Sequence, residues 1–193
     1  MATAITFVAA CSSTTQGTPN PAPSSTNATG LPRAGAPKVA NPLKTGAFES
    51  KPCQAATNTE IESAGGKLES AELQPVGNGQ SCLWIFADLT GTINGAMNLS
   101  EPDGLSHFYA LKAQGSGLTT FKPLPDIAGY PAVVFANGGE NKGVCNLAVG
   151  VRDNMMYTLV TRLFDGSPGY NDPCGVNVKI AEFAVKHLKE AQS

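Results

Sequence analysis

Apolar residues along this chain fall into short period-two runs separated by turn residues, with a few stretches of helical period. The clearest run covers 143–164. There Val144, Leu147, Val149 and Val151 precede a polar turn, Arg152-Asp153-Asn154, and Met155, Tyr157, Leu159, Thr161 and Leu163 mark one face after it. Alternation rich in β-branched and aromatic residues, bounded by turn chemistry, predicts a β-hairpin. Upstream, 67–74, 82–87 and 92–99 predict three strands, 119–122 a short one, and the stretch after a turn at Gly129-Tyr130-Pro131 another. Residues 123–126 and 137–143 read as loops. Thr57 and Glu60 have capping-box spacing, which predicts a helix to Ala64 that Gly65-Gly66 stops. A second helix is predicted over 103–114. A third follows over 177–192, where Val176, Ile180, Phe183, Ala184, His187 and Leu188 recur at three and four. The order predicts an α+β domain, with helices packed on a largely antiparallel sheet.

The first 47 residues carry no such pattern. Residues 1–10, MATAITFVAA, are apolar, and Val8-Ala9-Ala10-Cys11 has the form of a lipobox. Small residues suit the peptidase cut, and the Cys11 thiol would take the lipid and become the new N-terminus. Stable anchoring needs more than one acyl chain, here diacylglycerol and palmitate. No Lys or Arg precedes Cys11, so the leader is short and uncharged for a secretory signal. Residues 12–47 are mostly Ser, Thr, Pro, Gly, Asn and Ala with no aromatic. Such a segment buries too little to order itself, so 11–47 is expected to be a lipidated cysteine and a disordered tether. A flexible tether of that length spans on the order of 30–36 Å. A single folded domain is then expected over 48–193.

Composition narrows the partners. Net charge is -2 and no basic run occurs, which argues against nucleic acid. No apolar stretch approaches the ~20 residues of a membrane-spanning helix. The five cysteines separate into Cys11 and an even set, Cys53, Cys82, Cys145 and Cys174. Their wide spacing, without C-x-x-C, argues against a metal site and for two disulfides in an oxidising compartment. Three connectivities are open. The favoured one is Cys53–Cys82 and Cys145–Cys174, in which each Pro-Cys ahead of a helix joins a nearby strand. Each loop would contribute ~3.5 kcal/mol on the chain-entropy model.

Pro52-Cys53 before Thr57 and Glu60, Cys82-Leu83-Trp84, Gly129-Tyr130-Pro131-Ala132, Cys145 in a Val-rich strand, and Pro173-Cys174 before the last helix occur in this order. Together they resemble a family of actinobacterial envelope lipoproteins catalogued only as a domain of unknown function. The resemblance covers roughly residues 52–188. It implies a secreted, lipid-anchored, disulfide-bonded domain with a fold similar to the Mog1/PsbP-like sandwich, on the outer face of the cytoplasmic membrane. It carries no catalytic residues.

The residues themselves offer little catalytic chemistry. His107 and His187 each lie in a predicted helix, where a packed or surface role is expected. Ser116 lacks nucleophile-elbow spacing. No phosphate-binding, dinucleotide-binding or zinc-protease motif occurs, and no cofactor is implied. Trp84 is expected in the core, and Tyr130, flanked by Gly129 and Pro131, is the candidate exposed aromatic. The expectation is a non-catalytic, membrane-tethered binding or protein-interaction module whose partner is an envelope protein. A carrier or sensor of a small apolar or envelope-derived ligand is the first alternative, and an envelope hydrolase the second.

Overall fold

The computed structural model describes residues 30–140 and 142–192, together with Met1. Cys11 and the expected signal segment, 1–10 apart from Met1, lie outside the described residues. Seven strands form the centre: β1 Leu68–Val76, β2 Gly79–Phe86, β3 Gly91–Met97, β4 Thr120–Ile127, β5 Tyr130–Ala136, β6 Val144–Arg152 and β7 Met155–Leu163. They make one antiparallel sheet in the order β1-β2-β3-β7-β6-β5-β4. The helices are α1 Gly46–Ser50, α2 Asn58–Gly65, α3 Ser106–Gln114 and α4 Pro173–Glu190, with a 3-10 turn at Pro52–Ala55. The α+β class and the antiparallel sheet are as expected from the patterning.

The hairpin of 143–164 is β6 and β7, joined at Asp153 and Asn154. Residues 123–126, expected as a loop, instead belong to β4, which carries Pro123 and Pro125. Proline cannot donate to a ladder, so it survives here because β4 is an outermost strand. The capping box at α2 forms as its spacing predicts: Thr57 Oγ1 accepts from the Glu60 N–H, and Glu60 Oε2 accepts from the Thr57 N–H at 2.8 Å. α4 starts four residues earlier than the apolar period suggests. Pro173 opens it, and Asp172 Oδ1 caps it by accepting from the Gly175 N–H.

One face of the sheet, the helix face, carries the main core. Strand alternation sends Cys82, Trp84, Phe86, Ile93, Leu147, Val149, Tyr157 and Leu159 to this side, all fully or nearly fully buried. α4 lies on β6 and β7 through Ile180, Ala184 and Leu188, and the 3-10 turn lies on β2 and β3. Gly95 of β3 leaves the room that the Trp84 ring and the Tyr157 hydroxyl occupy, since a Cβ there would meet both. Buried Asn177 of α4 accepts from the Thr161 hydroxyl and donates to the Cys145 carbonyl at 3.1 Å, so helix and sheet are tied by paired polar groups.

Both disulfides sit on this face, with the favoured pairing. Cys53 in the 3-10 turn joins Cys82 of β2, and Cys145 of β6 joins Cys174 at the start of α4. Each proline opens its helical turn, and the adjacent cysteine pins that turn to the sheet.

Two expectations need correcting, and they have one cause. Residues 30–47 are not a free tether. Ala36, Val39 and Leu43 are buried. The Val39 N–H donates to Asp153 Oδ1 at 2.8 Å and the Leu43 N–H to the Val151 carbonyl at 3.0 Å. The Arg33 N–H donates to Ser106 Oγ at 2.9 Å, and its guanidinium pairs with Asp103. The domain therefore begins well before residue 48. Spaced single apolar residues in a Pro- and Gly-rich segment give no periodic signal, yet three of them suffice to seat an extended strap. Tyr130, expected to be exposed, lies under that strap. It is 3% exposed, and its hydroxyl donates to the Asn41 carbonyl at 2.8 Å.

Candidate functional site

The opposite face of the sheet is finished over only half its width. α3 covers the β4–β5–β6 side. Leu105 and Phe108 pack there on Val133, Ala148 and Met156, flanked by Tyr109, Phe121 and Phe135. Phe108 stacks on Phe135 with ring centroids 4.0 Å apart, and Tyr109 meets Phe121 edge-on at 5.0 Å. No residue of β1, β2 or β3 belongs to this second core. On those strands and on β7, alternation turns Leu83, Ile85, Thr92, Asn94, Thr158 and Val160 outward, all only partly buried.

Where α3 stops, a groove of about 350 Å³ opens between it and the uncovered strands. Phe108, Phe135, Met156 and Val160 supply its apolar side, and Asn98, Ser100, Glu101 and His107 its polar end. His107 Nδ1 lies 2.7 Å from Glu101 Oε2. That contact orients the ring and leaves Nε2 without a hydrogen-bond partner among the described residues. Ser100 Oγ accepts from the Asn78 N–H at 3.4 Å and makes no hydrogen bond to the imidazole. The groove thus holds an acid, an imidazole and a hydroxyl, without the nucleophile–base contact that acyl transfer uses.

His187 is placed differently. Its Nε2 is 2.8 Å from Glu60 Oε2 and its Nδ1 3.3 Å from Glu190 Oε2, so it bridges the α2 cap to the end of α4. Burial pushes the Glu60 carboxyl up. The Thr57 N–H and His187 outweigh that and hold it below its ordinary value. This is helix-to-helix stitching away from the groove. A second cleft, of about 580 Å³, runs past Tyr130 between the strap residues 40–43 and the end of α4. Lys189 lies over the Tyr130 ring at 5.1 Å and donates to the Ala128 carbonyl.

Among the described residues, no group of three or more His, Cys, Asp or Glu is placed to hold a metal ion. No helix among them is long and apolar enough to cross a membrane. Trp84 is in the core, as expected. Glu101 and the Phe108–Phe135 pair were not singled out by motif. A signal for the pair did exist: Val133, Val134 and Phe135 form an unbroken apolar run, the mark of a strand buried on both faces.

A family model described as "Protein of unknown function (DUF3558)" matches residues 6–187, so the chain belongs to that family. No curated protein and no solved structure matches it.

Proposed function

We propose that this family member is a non-catalytic extracytoplasmic lipoprotein, anchored through acylated Cys11 to the outer face of the cytoplasmic membrane, that binds an envelope protein through the uncovered half of its sheet. The observation that carries this reading is the uneven finish of the sheet. The helix face is filled and stapled, whereas Leu83, Ile85 and Val160 stand partly exposed with no layer over them. Two disulfides in a domain of this size suit an oxidising compartment. The large central side chains of the helix face, Trp84, Phe86, Tyr157 and Leu159, are fully buried, and the clefts described above are open to solvent. That favours a surface contact over an enclosed apolar cargo, and so ranks the carrier reading second.

Native mass spectrometry of the protein drawn gently from its own membranes tests this. The expected species carries acyl mass on Cys11, lacks the hydrogens of two disulfides, and retains a protein partner. An unacylated Cys11 would remove the anchor. A bound small molecule in place of a protein would move the reading to a carrier.

A further inference from the structure

We infer that the free edge of β1 is a docking site for an extended basic segment of a partner protein, which adds there as an eighth strand. The two outer edges of the sheet are finished differently. β4 is closed to further pairing by Pro123 and Pro125, by Lys122, and by an irregular register before Ile127. β1 pairs only with β2 among the described residues. Its protective features stand near its ends: a bulge at Glu69 and a proline at Pro75. Between them, Ser70–Gln74 is free of both, and its register with β2 is regular. That window is long enough for one short strand and is bounded at both sides, the footprint of β-strand addition.

The side chains in the window state what would pair there. Glu72 alternates to the uncovered face with Ser70 and Gln74, opposite Leu83 of β2. Its carboxylate accepts from the Ser70 hydroxyl at 3.0 Å and the Gln74 amide at 3.4 Å, and no cation among the described residues pairs with it. The whole hairpin 68–86 carries two charges, Glu69 and Glu72, both acidic. On the other face Leu73 is 55% exposed, one of the few large apolar side chains left in water. An incoming strand with Lys or Arg toward one face and aliphatic residues toward the other meets both. A second copy of this chain does not fit as well. Antiparallel pairing centred on the window sets Glu72 against Glu72, and like charges directly opposite destabilise a ladder.

This inference deepens the reading of the domain as a binding module, but it rests on the edge and not on the sheet face. The test uses the full chain with both disulfides intact and a short synthetic peptide alternating valine and lysine. Amide hydrogen exchange and amide shifts report where it binds. Expected are slowed exchange confined to β1 within 70–74, weakening with salt, and no binding by the peptide with glutamate in place of lysine. Glu72→Lys should weaken binding by about tenfold or more. Glu182→Lys, on the exposed side of α4, should leave it unchanged. Perturbation mapped elsewhere, absence of binding at millimolar peptide, or self-association of the chain through 70–74 would overturn the inference. Loss of peptide binding with the envelope partner still held by the sheet face would end this inference alone.

Discussion

The two faces of the sheet are built to different rules. The helix face is closed from β2 inward by α4, α2, the 3-10 turn and the strap, with only the edge strand β1 left open at Leu73, and two disulfides pin two of those elements to the strands beneath. The opposite face has one helix, no covalent tie and a bare half. The contrast separates stability from contact within one sheet. Every strand lends alternate residues to both tasks, so a substitution one position along can move from the first to the second.

Removing a staple should break the closed face first. The Cys145→Ser/Cys174→Ser double variant frees the N-terminal end of α4, and about 3–4 kcal/mol of stability should be lost in denaturant titration. A loss near zero would mean that packing alone seats α4. On the half-covered face, Phe108→Ala should cost about 3 kcal/mol, because it empties the contact with Phe135, Met156 and Val133. It should also widen the groove, readable as new binding of an apolar dye.

Glu60→Gln tests the stitching at the rim of the closed face, with an expected loss of about 0.5 kcal/mol. The sign with pH follows from the lowered carboxyl. Its contribution is present above the ordinary value of 4.5 and is lost as pH falls through the lower folded value. Wild-type and variant melting curves should therefore differ at neutral pH and converge in acid below 4.5. A constant gap across the range would assign the loss to packing instead. Smallest in stability is Ile85→Ser on the bare half, within about 0.5 kcal/mol. The same variant should abolish capture of the envelope partner. Retained capture would turn attention away from this face.

Much of the closed face could be read beforehand because its signals are local. The capping box at Thr57 and Glu60, the period of α4 and the alternation of β6 and β7 each operate within a dozen residues. The disulfide pairing was legible because Pro-Cys twice announces a helical turn. The strap escaped because Val39 and Leu43 find their partners, Asp153 and Val151, more than a hundred residues away. Tyr130 reads as exposed for the same reason, since nothing local marks the segment that covers it. The His107–Glu101 contact and the groove beside it depend on how far α3 extends over the sheet. No spacing in the chain records that.

Trp84 is the chain's sole tryptophan, fully buried on the closed face, two positions from Cys82 on the same strand. The molecule therefore carries one optical reporter, and it views one side only. Emission should brighten and shift red when the nearby sulfur bridge is reduced or α1 and the 3-10 turn lift away. It should stay silent when something settles on the bare strands beyond the backbone plane. A titration that leaves fluorescence flat is thus the signature of an encounter on the outer side, whereas a spectral change on adding a ligand means that the ligand has reached the interior.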